Sequence, residues 1–229
     1  MESVTSLLRR PQRPTLTTGK NLEKFTLKPT NVQKCDLDGL EAKQKIRLVN
    51  SLSGYKPANL IGTINKNGIH NVAIFSSVFH LGTNPAMLGF IMRPPVVRRD
   101  TYENILHSGF FTVNHVTADI AEQAHQSSAP YPSEVSEFDE LGLTPVIREA
   151  CPAPFVSESP VQICCELASD TEIPLNGTRM IVGHIRSVYL DEGLMDEYGD
   201  LDLAKAGVAV ISGLNHYSNA NKLYSFDQV

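Results

Sequence analysis

Two apolar runs, residues 58–64 and 69–75, flank Lys66-Asn67-Gly68, and this arrangement limits the fold more than any other part of the chain. Asn-Gly between apolar runs is the strongest short hairpin signal, because both central residues must accept positive φ. A hairpin makes its strands antiparallel, and the pattern downstream is of the same kind. Residues 86–92 (AMLGFIM) form a continuous apolar run that suits a strand buried on both faces. Residues 110–116, 161–167, 180–189 and 208–211 read as further strands, with 161–167 alternating as a half-buried strand should. Asn176-Gly177 supplies another turn. Short helices are expected over 117–127 and 133–141, the second closed by Gly142, and a helix over 36–53. Residues 149–160 carry three prolines and read as a loop, and 215–229 as a polar tail. About seven strands result, not regularly interleaved with helices. That favours a mainly β chain, a closed antiparallel barrel with short helical insertions, over a doubly wound parallel sheet.

The chain of 229 residues is most economically one domain. Residues 1–35 lack periodicity, which divides the chain into an N-terminal arm, 1–40, and a domain, 41–229. A net charge of −5 argues against a nucleic-acid binder, whose footprint is a basic patch or stripe. No apolar run approaches the roughly 18 residues of a spanning helix, and the N-terminus has no apolar core of a signal peptide. The four cysteines, Cys35, Cys151, Cys164 and Cys165, contain no CxxC pair, so reduced structural thiols in a cytoplasmic protein are expected. Cys164 and Cys165 are adjacent and must face opposite sides of a strand.

Chemistry concentrates in residues 71–104. An apolar strand runs into Ser76-Ser77, a second ends at Arg93, and a basic loop leads into a helix over 100–109. Asp100 and Glu103 have the spacing of a capping box, and Gly109 suits a left-handed stop. A phosphate dianion needs N–H donors, hydroxyls and a permanent cation. Arg93 would emerge at a barrel rim, and Thr101 sits in the first helical turn, where the macrodipole favours an anion. Asn104 is one turn on and can share that side. Arg98 and Arg99 fit either an anion site or a solvated basic loop. The two serines most simply satisfy turn backbone. No GxSxG elbow, HExxH, Walker A or GxGxxG is present, so neither a catalytic side chain nor a metal is expected. The acidic runs 134–140 and 191–202 read as solvated faces. His115 and His184 read as structural groups on strands.

The order GTINKNGIHNVAIFSSVFHLGTNPAMLGFIMRP, then RDTYENI with GFFTVNHV and a C-terminal VAVISGLNHY, resembles the flavin reductase-like family of FMN-binding split barrels, which includes flavoredoxin. The resemblance covers roughly residues 45–220. It implies a six-stranded antiparallel split barrel of Greek-key type, a homodimer, and one FMN near each subunit interface. It places the flavin ring along Asn71, Ala73, Ser76, Ser77 and Val78, and the phosphate at Arg93, Arg99, Thr101 and Asn104. His216, Tyr217 and Lys222 of the tail would close over the flavin from either subunit. The implied activity is an FMN-dependent oxidoreductase that takes hydride from NADH or NADPH onto FMN N5 and passes electrons to a small-molecule or protein acceptor. The alternative is an FMN-carrying electron-transfer protein with no nicotinamide site of its own.

Overall fold

A computed structural model describes residues 32–149 and 151–225. Its main compact unit is Leu40–Asn221. Residues 1–31 of the expected arm lie outside the described residues. Helix α1 spans Ala42–Ser51, within the expected 36–53. Strand β1 is Lys56–Pro57, β2 Asn59–Ile64 and β3 His70–Phe75; β4 is Phe79–Thr83 and β5 Ala86–Met92. Helix α2 is Asp100–Ser108 and β6 Phe110–His115; a 3-10 turn at Ala118–Ile120 leads into α3, Ala121–Gln126. Then come α4 (Glu137–Leu141), β7 (Pro145–Arg148), β8 (Cys151–Val156), β9 (Val161–Ile173), β10 (Thr178–Leu190), β11 (Ala209–Ser212) and β12 (His216–Asn219). Gly109 and Gly142 end α2 and α4 in the left-handed conformation, at φ 72° and 67°. No helix among the described residues is long and apolar enough to cross a membrane.

The main sheet has seven strands in the order β3-β2-β6-β9-β10-β5-β4, every pair antiparallel. Strands β3 and β4 stand at opposite ends of that order, yet only Ser76, Ser77 and Val78 join them. So short a link reaches no more than roughly 14 Å. The ends of the sheet therefore approach one another, and the sheet rolls into a barrel that stays split between β3 and β4. Its interior is filled by Ile61, Phe90, Met92, Phe111, Val113, Cys165 and Ile181, with Ile105 of α2 among them. Phe75, Phe90 and Phe111 meet edge to face at 4.9 and 5.5 Å between ring centres, the arrangement aromatic quadrupoles prefer. Leu60 and Val72 point outward into a second cluster with Val116, Ile120 and Phe138. Strand β2 is consequently buried on both faces.

Several expectations change. The main sheet has seven strands rather than six, and separate small sheets, β1-β11-β12 and β7-β8, lie beside it. The expected loop at 149–160 contains strand β8. Pro152 and Pro154 share the parity of Val156, whose N–H donates to Asn114 Oδ1 at 3.0 Å, not to β7. Their missing donors thus fall on the side where no ladder bond is made, the position in which a strand tolerates proline. Strand β8 covers β9, so Gln162 and Cys164 are buried along with Val161, Ile163 and Cys165. The half-buried reading of 161–167 fails for that reason. Cys164 and Cys165 do face opposite sides, one packing with Cys151 and Phe155, the other inside the barrel. Part of the polar tail, His216–Asn219, forms β12 by pairing with β11.

Candidate functional site

The link Ser76–Val78 crosses the split. Asn65 N–H donates to the Ile69 carbonyl at 3.0 Å, which fixes the phase of the β2–β3 ladder. Counting along it, Phe75 exchanges bonds with Asn59, while Val72, Ile74 and Ser76 aim their N–H groups away from β2. The Val72 N–H meets Glu137 Oε2 at 3.3 Å. Those of Ser76, Ser77 and Val78 meet no acceptor among the described residues. The Ser77 hydroxyl donates to the Ile91 carbonyl at 3.0 Å and accepts from the Ile91 N–H at 3.1 Å. A side chain thus replaces a strand partner opposite β5, whereas the simpler reading of the serines expected both hydroxyls to satisfy the turn's own backbone. The hydroxyl fixes the link, and the backbone donors remain open. Ala73 lies half-buried on β3.

Helix α2 begins on the far side of a loop from Arg93. The expected capping box is not formed: the helix starts at Asp100, its N-cap is Arg99, and no side chain caps it. The Arg98 guanidinium draws both acids away, pairing with Asp100 at 2.9 Å and Glu103 at 3.6 Å. The first-turn N–H groups are left open, an anion-binding arrangement. Arg99 differs from Arg98: its Nε is buried and has no hydrogen-bond partner among the described residues. Arg93 is exposed and makes no ion pair among the described residues.

Asn71, Thr101 and Asn104 do come together, but they face one another. Asn71 Oδ1 accepts from Thr63 Oγ1 at 3.0 Å and from Thr101 Oγ1 at 3.1 Å. Asn104 Nδ2 donates to Thr63 Oγ1 at 3.1 Å, and Asn71 Nδ2 donates to Glu137 Oε1 at 2.7 Å. All five residues are buried. A cavity of about 10 Å³, room for one water, opens beside them between Asn65, Asp100, Ser133 and Glu137. Glu137 corrects the reading of 134–140 as a solvated face. Burial pushes its carboxyl above the usual range, more than its hydrogen bonds lower it. The sequence carries no spacing signal for it, since Glu137 lies 66 residues from Asn71.

Of the tail residues, His216 and Tyr217 make no hydrogen bond with this group among the described residues. Tyr217 is half-buried against the outer cluster, and its hydroxyl lies 3.4 Å from Nδ1 of His125 on α3. His216 is exposed on β12, and Lys222 lies beyond Leu40–Asn221. His115 is half-buried, its enclosed Nδ1 has no partner among the described residues, and desolvation pushes it down to about 4. It stays neutral at neutral pH. No group of three or more His, Cys, Asp or Glu among the described residues is arranged to hold a metal.

A family model described as "flavin reductase like domain" matches residues 55–209. Among solved structures, a split-barrel protein from Shewanella frigidimarina NCIMB 400, assigned as a flavin reductase, is 42% identical. It superposes with a TM-score of 0.81 and covers 84% of this chain and 96% of its own. Flavoredoxin of Desulfovibrio vulgaris (Miyazaki F), 22% identical with a TM-score of 0.68 over 85% of this chain and 97% of its own, shares the fold. An uncharacterised Aquifex aeolicus protein is 29% identical over 153 residues, 66% of this chain and 77% of its own.

Proposed function

The chain belongs to the flavin reductase-like family, and on that premise we propose that it is an FMN-dependent oxidoreductase which takes electrons from NADH or NADPH and delivers them to a separate acceptor. One observation carries the reading: the uncapped start of α2 lies next to a buried guanidinium nitrogen that has no partner among the described residues. A buried polar atom without a partner costs on the order of 1–3 kcal/mol, more if charged, so it is expected where a ligand completes it. A phosphate dianion fits, because the guanidinium donates and the open helical N–H groups favour negative charge. The β3 edge fits the other end of the ligand: the N–H groups of Ser76, Ser77 and Val78 suit the carbonyl and ring-nitrogen acceptors of an isoalloxazine.

Bound FMN would supply hydride acceptance and electron transfer, chemistry that no side chain provides. The protein's part is to bind, orient and exclude water. Arg99 and the first turn of α2 would neutralise the phosphate, with Arg93 a second cation at the rim. The Ser77 hydroxyl would hold the link Ser76–Val78 flat against the ring. Asn71, Thr101 and Asn104 would act chiefly by fixing the position of α2 against β3, since their side chains are bonded to one another. A homodimer in which His216, Tyr217 and Lys222 close over the flavin, and a cytoplasmic location, belong to the same proposal.

The test is to reconstitute the protein with FMN and mix it with NADH or NADPH without air. Bleaching of the flavin absorption is expected. Unchanged absorption at saturating nicotinamide would remove the reductase reading and leave an electron carrier.

A further inference from the structure

We propose that Glu137 is a positioning residue for the phosphate end of the flavin site, its ionised carboxylate holding Asn71, and through Asn71 the first turn of α2, in register. The proposal rests on the FMN reading above and names a residue outside its ligand set.

An ionised carboxylate only accepts, so the Asn71 side chain must turn its NH₂ toward Glu137. That choice leaves Asn71 Oδ1 facing Thr63 and Thr101, and both hydroxyl protons then point at it. Asn104 donates to Thr63 in turn. Donation therefore runs from α2 and β2 through Asn71 on β3, and ends at one acceptor on α4. The second Glu137 oxygen takes the edge N–H of Val72. Glu137 has no ion-pair partner among the described residues, so these bonds and its place at the start of α4 hold its charge.

Protonation breaks the pattern. One oxygen becomes a donor, and either the Asn71 amide or the Val72 N–H loses its acceptor. The amide is then free to turn over, and the Thr101 hydroxyl loses the oxygen that pins it. Asp100, facing Glu137 from α2, adds to burial in favouring the proton. On β3, His70 packs edge-on against Phe138 and burial holds its ring toward the neutral form. Asp139 and Glu140 on α4 and Glu134 before it are exposed.

Charge alone predicts the reverse. Removing a carboxylate near a phosphate site lessens repulsion and should tighten FMN. A positioning role predicts weaker FMN binding in Glu137→Gln, because the NH₂ of glutamine must oppose either the Asn71 amide or the Val72 N–H. The two effects have opposite signs, so the direction of the change separates them.

The experiment titrates FMN and riboflavin against wild type, Glu137→Gln and Glu137→Asp by flavin fluorescence, at several values between about pH 5 and 8. Glu137→Gln is expected to weaken FMN about tenfold and riboflavin less than about twofold. Glu137→Asp, which keeps a carboxylate, should fall between. In wild type the preference for FMN over riboflavin should shrink as the pH falls. In Glu137→Gln it should retain only the slope caused by the phosphate's own second ionisation near about 6. Unchanged or tighter FMN binding, equal losses for both flavins, or identical slopes in the two proteins would overturn the role of Glu137. If Glu137→Gln does not fold, a wild-type slope no steeper than the phosphate's own does the same. Wild type that binds neither flavin would instead overturn the site reading beneath it.

Discussion

At the residue scale, the sequence shows which side chains carry charge but not which of them lack partners. Arg98 and Arg99 are indistinguishable as letters. Folding pairs Arg98 with Asp100 and Glu103 and leaves Arg99 Nε buried without a partner among the described residues. Glu137 was illegible for a related reason: its partner Asn71 is distant in sequence, and its acidic neighbours suggest solvent. His115 on β6 makes a quantitative prediction. Its folded value of about 4 lies below the ordinary 6.5, so the unfolded chain takes up the proton first. The stability it contributes is complete above about 6.5 and is lost as the pH falls toward 4, at most about 3 kcal/mol. Urea unfolding of wild type should weaken over that window, and His115→Asn should lack most of this slope. Equal slopes would show that other groups govern the acid limb.

At the element scale, strands with strong local signals appear where their patterns place them. Asn67-Gly68 gives the β2–β3 hairpin, AMLGFIM is β5, and Gly109 ends α2. What the pattern hides is set by neighbours. Strand β8 carries prolines, and its pairing with β7 together with its position over β2 and β6 explains why it is extended. There the Thr112 hydroxyl donates to the Pro154 carbonyl at 2.6 Å. Gly62 makes room for this crossing, since a Cβ there would run into the Pro154 carbonyl oxygen and Thr112 Oγ1. Backbone cannot swing aside as a flexible side chain would. Gly62→Ala is therefore expected to lose about 1–3 kcal/mol in chemical denaturation. Gly68→Ala, with open space around it but φ +82°, loses only the smaller cost of a strained turn. If Gly62→Ala proved no worse than Gly68→Ala, the close packing of β8 would be refuted.

At the scale of the whole molecule, the run of strands pointed to a barrel and the resemblance to a split one; the sheet order adds that the main sheet has seven strands and that the split lies between β3 and β4. The three-residue link between the two end strands brings the barrel edge and open backbone donors to one place, and α2 supplies open donors and Arg99. The central claim is that this second group, at the start of α2, holds the phosphate of a flavin. It is tested most directly by the affinities of wild type and Arg99→Ala for FMN and for riboflavin, which differ in that phosphate. Wild type should bind FMN at least about tenfold more tightly than riboflavin, and Arg99→Ala should lose most of that margin while keeping its riboflavin affinity. A margin that survives in Arg99→Ala, or equal affinity for both flavins in wild type, would contradict the account.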